Sequence, residues 1–352
     1  MRAGEDIQGS RLHDRTQAER AKVGALDGFL AHKYEPWVLA ERKTGAQTLK
    51  RIRSNFANFL DKPLADINTW VVEKWRAEQI KKGKNKTTIN RDVVALKAAL
   101  SKALAWELID VHPLAKFRPI KTDRRAKVRY LSAEEGGRLH AALLARDRTI
   151  KTERTNANNW RRARGYPLYP NLSAGTYGDH LTPMVLLSLN TGLRLGEVFA
   201  LTWQNVNLSG RIVTIDGAAA KSGETRHIPL NQTAMSVLNA WRQQSVSKNL
   251  VFPSRDGARL DNVRKAWAGV LADAEITGFR WHDLRHDFAS KLVMAGVALN
   301  TVRELLGHVD LNTTLRYAHL SPGHRAEAVE KLHAQRLVDA EDGVEPMAFA
   351  QL

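Results

Sequence analysis

Apolar residues recur at helical intervals through the first hundred positions. In TLKRIRSNFANFL (48–60), Leu49, Ile52, Phe56, Phe59 and Leu60 fall along one face. NTWVVEKWRAEQIKKG (68–83) repeats the pattern and ends in lysines and a glycine, as a helix terminus should. KTTINRDVVALKAALSKALAWELI (86–109) opens on threonines suited to capping and runs for several turns. Residues 17–112 therefore read as one all-helical domain behind a flexible start at 1–16.

The pattern then breaks. HPLAKFRPIKTDRRAKVRYLSAEE carries two prolines, a burst of cations and a capping box, with Ser132 three residues before Glu135. A basic linker at 113–129 is predicted, leading into a second domain over 130–335 and a tail at 336–352. Helical periods predict helices near 132–146, 180–191, 194–202, 231–244, 261–274, 282–296, 299–306 and 312–320. RIVTID (211–216) and TRHIPL (225–230) alternate like paired strands joined by GAAAKSGE. The segment 146–178 shows no clean period and is expected to be a long irregular, basic insertion. The predicted fold is mainly α with a small β-hairpin: an all-helical domain, then an α+β domain.

Charge narrows the partners. Against 54 Lys and Arg stand 37 Asp and Glu, a formal charge of +17, which favours a polyanion because each neutralised phosphate releases counterions. No lipidation motif or run of about 18 apolar residues points to a membrane. The absence of cysteine removes disulfides, thiolate metal sites and cysteine nucleophiles, and fits a cytoplasmic protein. Lys81, Lys82, Lys84 and Lys86 crowd one loop, Arg124 and Arg125 mark the linker, and Arg161 and Arg162 mix with aromatics in the insertion. These are the candidate DNA-binding residues; for any single lysine a solvated surface is the plainer reading, and for the insertion a surface loop explains the pattern equally well.

Four short stretches offer chemistry. In LNTGLRLGEVFALTW, Arg194 follows a glycine turn and lies three residues from Glu197, with which it can pair; its planar fork suits a phosphate, and an exposed helix-end arginine is the plain alternative. Lys221 sits near the hairpin tip, where lysines are mostly inert but one can hand a proton to a leaving oxygen. In RWHDLRHDFAS, His282 and Arg285 share a helical face. His282 and His286, four apart, raise a metal pair, discounted because an arginine stands between them and the pattern is not HExxH. In LLGHVDLNTTLRYAHL, Gly307 ends a helix before His308, and Asn312 or Thr313 caps a short helix carrying Tyr317. A tyrosine there is ordinarily packing. As a nucleophile it needs nearby cations and a proton acceptor, since its ordinary pKa is about 10.

In this order the motifs TGLRLGE, HDLRH and LLGH…TTLRYAH, with the hairpin lysine, resemble the tyrosine recombinases of the phage-integrase type, over most of the chain. The resemblance implies a helical, SAM-like core-DNA-binding domain and a catalytic domain that clamp DNA. It makes Arg194, Lys221, His282, Arg285, His308 and Tyr317 catalytic, with Tyr317 the nucleophile and Glu197 supporting. Tyr317 attacks the scissile phosphodiester to give a 3′-phosphotyrosyl link; the arginines hold the phosphate, His282 handles the tyrosine proton, His308 bonds the phosphate and Lys221 protonates the 5′-oxygen. No metal, ATP or other cofactor is implied. The implied partners are double-stranded DNA at specific recombination sites, a homo-tetramer on synapsed DNA with the tail docked on a neighbour, and accessory DNA-bending proteins. The implied process is integration or excision of a phage or mobile element. A type IB topoisomerase-like relaxing enzyme and a non-catalytic DNA-binding regulator are the alternatives. Only about 20 residues precede the first helix, so no extra arm-site module is expected.

Overall fold

The computed structural model describes residues 24–122, 128–217, 224–245 and 247–320. Lys221, Arg124, Arg125, the expected flexible start and the expected docking tail lie outside the described residues. The chain divides into two units, Met1–Arg124 and Arg125–Leu352.

The first unit is helical among its described residues. Helix α1 (Leu26–Phe29) runs through a π-helical turn (Leu30–Tyr34) into α2 (Glu35–Glu41), followed by α3 (Gly45–Asn55), α4 (Thr69–Lys81) and α5 (Lys86–Ala105). The apolar stripes meet in one core, where Leu30, Ile52, Phe56, Ile89, Leu96 and Leu100 are wholly shielded from solvent. Asn68 caps α4 by accepting the Val71 N–H at 3.1 Å. The cap of α5 is Asn85, which accepts the Thr87 N–H at 2.8 Å. The expected threonine caps are instead helical, because the Asn85 carboxamide, two residues before Thr87, already satisfies a free donor.

The second unit opens with the Ser132–Glu135 capping box, both bonds at 3.1 Å. It starts α6 (Ala133–Arg162), a helix of 30 residues. The expected irregular insertion is thus helical up to Arg162. The apolar period stops after Leu143, where the helix leaves the core, but Arg, Lys, Glu and Ala sustain a helix without a buried stripe. There follow α7 (Leu181–Thr191), α8 (Leu195–Ala200), β1 (Val206–Asn207), β2 (Ile212–Ile215), β3 (Arg226–Pro229), α9 (Gln232–Gln244), α10 (Arg264–Asp273), α11 (Trp281–Met294) and α12 (Leu299–Leu306).

The three strands form an antiparallel sheet in the order β1-β2-β3, with Val213 opposite Ile228. Val213, Ile215 and Ile228 face the core while Thr214 and His227 pair on the other face, the period-2 alternation the sequence displays. The two-residue β1 was not predicted, being too short to show a period. After α12 the chain makes two 3₁₀ segments, Leu311–Thr313 and Leu315–Leu320. Among the described residues no helix is long and apolar enough to cross a membrane.

Candidate active site

The site is organised by the carboxyl end of α12. The last carbonyls of a helix have no partners within it and carry partial negative charge. Here three consecutive ones each receive an arginine. Arg226 Nε donates to Leu305 O at 3.3 Å, Arg285 Nη2 to Leu306 O, and Arg194 Nη2 to Gly307 O at 3.4 Å. Arg285 Nη1 also donates to Gly192 O at 2.8 Å, at the end of α7. Both terminal glycines are left-handed, Gly192 at φ 64° and Gly307 at φ 61°. A Cβ on Gly192 would meet Phe288 Cδ1 at 2.5 Å, and one on Gly307 would meet Arg226 Cδ at 2.8 Å, so both positions need glycine for space as well as conformation.

Glu197 holds the cluster from the other side. Its carboxylate accepts from Arg226 at 3.1 and 2.6 Å and from Arg194 Nη1 at 2.9 Å, and also caps α8 through the Arg194 N–H at 2.8 Å. Burial works to raise its pKa, but the hydrogen bonds and charge of Arg226, with those of Arg194, bring it below the usual carboxylate range. Glu197 is therefore an anchor carrying full negative charge. Arg285 is only 2% exposed. Burial and the neighbouring Arg194 charge pull its pKa down to about 9, so it stays protonated at neutral pH.

Tyr317 lies on the second 3₁₀ segment, not on the short α-helix expected, and Asp310 rather than Asn312 or Thr313 caps the first by accepting the Asn312 N–H at 2.9 Å. The ring is 1% exposed, packed with Ala289, Val293, Val302 and Leu306. Its polar end is not in oil: the hydroxyl lies 2.6 Å from His286 Nδ1, in a shared hydrogen bond. Burial raises the phenol pKa, while the charges of Arg285 and Arg316 oppose that rise. His308 projects from the turn after α12 and bonds Thr314 Oγ1 through Nδ1 at 2.8 Å. His282, in the first turn of α11, is exposed and meets His286 edge-on, ring centroids 5.0 Å apart. Partial desolvation, then the charges of Arg285 and Arg194, lower its pKa.

Arg194, Glu197, Arg285, His308 and Tyr317 thus share one region of the second unit, with His282 at its edge. Of the four clustered lysines, Lys81, Lys82 and Lys86 are exposed. Lys84 is not a free cation: its ammonium lies 2.6 Å from the buried Asp92 carboxylate, which also takes Arg51 at 3.0 Å. A charge committed to a shielded carboxylate is held in part for the fold.

Comparison with known proteins gives this arrangement its place. The phage integrase family model matches residues 172–324, the span that holds all of these groups. The chain is similar to the tyrosine recombinase XerC of Xanthomonas campestris, 27% identical over 331 residues that make up 89% of each chain. The integrase of Salmonella phage P22 is 34% identical over 167 residues, 44% of this chain and 43% of that one. Residues 172–324 form a phage integrase domain. The fold agrees: the Tn1549 transposon integrase in complex with a circular intermediate DNA superposes with a TM-score of 0.65 at 17% identity, over 88% of this chain and 99% of the other. A lambda integrase tetramer bound to a Holliday junction gives 0.59 at 18%, over 88% and 83%. A domain of this family implies cleavage and rejoining of DNA strands.

Within this domain, two residues that sequence reasoning passed over have clear positions. Arg226 was hidden inside a strand; the clue was Glu197, too close to the core to be balanced by the half-buried Arg194 alone. His286 was weighed only as a metal ligand, and among the described residues no cluster of three or more such ligands exists. The resemblance gave the tyrosine proton to His282. The structure instead pairs the phenol with His286, one turn further along α11, because that turn packs against the 3₁₀ segment.

The same histidines set an acid limit. Burial, with the charge of His282, lowers His286 to about 4, and burial with the charges of Arg285 and Arg194 lowers His308 to about 3. In the unfolded chain both titrate near about 6.5. Between these values the unfolded state binds more protons, so the contribution is complete above about pH 6.5 and is lost as pH falls through about 4 toward about 3. The melting temperature is expected to fall between pH 7 and pH 4.5. The fall should be smaller in the His286→Gln/His308→Gln protein; equal falls would exclude these two groups as the cause.

Proposed function

We propose that the protein is a recombinase and cuts one DNA strand by attack of the Tyr317 phenol oxygen on a phosphodiester. The O–P bond to Tyr317 forms as the bond to the 5′-oxygen breaks, giving a 3′-phosphotyrosyl link and a free 5′-hydroxyl. His286, already within hydrogen-bond reach of the hydroxyl and neutral at physiological pH, accepts the phenol proton through Nδ1. Arg194 and Arg285 stabilise the charge gathering on the phosphoryl oxygens. The second N–H on each Arg285 nitrogen remains for this after the carbonyl bonds. His308 and His282 donate to the same oxygens, and Lys221, outside the described residues, protonates the leaving 5′-oxygen. A 5′-hydroxyl from a partner strand then reverses the step and conserves the bond energy.

The observation that carries this reading is the convergence of Arg194, Arg285 and Arg226 on three successive carbonyls at the end of α12, beside a tyrosine held by a histidine. A relaxing topoisomerase or a DNA-binding regulator without chemistry is less favoured, since extended similarity is to recombinases. The active assembly is proposed to be a homo-tetramer on two specific duplex sites, with the tail docked on a neighbouring subunit and accessory DNA-bending proteins aiding synapsis. The burial of Tyr317 fits activation on DNA: 3₁₀ segments hold fewer and poorer hydrogen bonds than α-helices, so this one can release the residue at small cost. On a nicked site-bearing duplex in excess EDTA, the protein is expected to form an adduct that survives detergent. Loss of the adduct in EDTA, restored by a divalent ion, would refute this chemistry.

A further inference from the structure

Beyond Arg146, α6 contributes nothing to the hydrophobic core, whose members on this helix are Leu139, Ala142 and Leu143. Residues 147–162 extend it by a rise of roughly 24 Å at about 1.5 Å per residue. At its end Gly165, at φ 70°, turns the chain, and the Tyr166 N–H bonds the Arg161 carbonyl at 3.0 Å. The segment 166–176 then returns along the helix and is stapled to it. Asn158 exchanges two bonds with the Tyr169 backbone at 3.0 and 2.9 Å, Arg154 reaches Pro170 O at 2.8 Å, and Lys151 reaches Gly175 O at 2.5 Å. This is a built arm rather than a loop.

Its end is a ladder of rings and guanidiniums. Trp160 and Tyr166 stack with centroids 5.7 Å apart and planes 10° apart, at 51% and 52% exposure. Arg164 lies over Trp160 at 4.3 Å, and Arg161 over Tyr169 at 4.4 Å. Between residues 146 and 178 seven Lys and Arg face two Asp and Glu. At the base, Arg146 is neutralised by Asp179 at 2.6 Å. At the end, the hydrogen bonds of Arg161, Arg162 and Arg164 go to carbonyls, a phenol and an amide, which leave the charge uncancelled. Face-stacking holds a guanidinium still while leaving in-plane N–H groups for a phosphate. An acid-free, immobilised cationic strip fits a polyanion better than it fits a protein surface.

Resting on the reading that this chain acts on DNA, we propose that the arm is a preformed second DNA contact that grips the phosphate backbone of the bound duplex through Arg161, Arg162 and Arg164. The test is the salt dependence of duplex binding by the full chain and by its R161A/R162A/R164A variant. Each phosphate contact steepens the slope of log affinity on log salt by about 0.9. The variant is expected to lose about two to three from that slope and at least tenfold in affinity at low salt. An unchanged slope would overturn the proposal, and a change in self-association without one would assign the arm to a second copy instead. Because the substituted side chains are exposed or half-exposed, an unchanged thermal melt is expected to accompany the loss. Detergent-stable adduct formation by the unaltered protein reports separately on the recombination chemistry: an adduct with an unchanged slope condemns only the arm, and a slope change without any adduct condemns only the chemistry.

Discussion

Tyr317→Phe is expected to abolish the detergent-stable DNA adduct while leaving duplex binding within about twofold of the parent. The substitution removes one oxygen, the only atom of the side chain that can form a phosphate ester, and keeps the ring that packs with Val293, Val302 and Leu306. It also breaks the bond to His286, whose Nδ1 then loses its 2.6 Å partner. An unpartnered, partly buried imidazole costs about 1–3 kcal/mol, yet the phenol oxygen itself no longer needs a partner, so the net change in stability is expected near zero. A gel-shift titration and an adduct gel on the same preparation check both halves. A Phe protein that still forms the adduct would remove Tyr317 from the mechanism.

Arg285→Ala is expected to lower the rate of strand cleavage by at least about 10³-fold. One preorganised charge at a developing oxyanion is commonly worth about 10²–10³, and Arg285 also fixes the geometry by joining Gly192 O at the end of α7 to Leu306 O at the end of α12. Losing it leaves two shielded carbonyls without donors, at about 1–3 kcal/mol each, so the Ala protein is expected to melt lower as well. Arg285→Lys separates the two effects. Its ammonium keeps the charge and restores part of the stability, but it cannot span two carbonyls as a planar fork does. The Lys protein is expected to melt near the parent and still cleave at least about 10²-fold slower in single-turnover kinetics. Parental rates from the Lys protein would reduce Arg285 to a point charge.

The parts of this molecule legible in its sequence are those governed by local rules. Apolar stripes placed the helices of the first unit, the Ser132–Glu135 box placed the start of α6, and alternation placed β2 and β3. The left-handed glycines after α7 and α12 explain why Arg194 and His308 stand where they do. What escaped the sequence depended on contacts between distant segments. The far half of α6 has no apolar period, and is held by the returning segment 166–176 that only the folded chain brings beside it. Lys84 looked free until Asp92 was found beneath it, and Arg226 looked like a strand residue until Glu197 met it across 29 positions. His286 shows no local mark of its role, since its partner lies 31 residues away.

The most direct measurement is to trap the adduct on a nicked duplex, digest it with trypsin and locate the nucleotide by mass spectrometry. Cleavage after Arg316 and Arg325 releases YAHLSPGHR, and the phosphate is expected on its single tyrosine, linked to a 3′-end. A nucleotide found on any other peptide, or a 5′-linkage, would contradict the account.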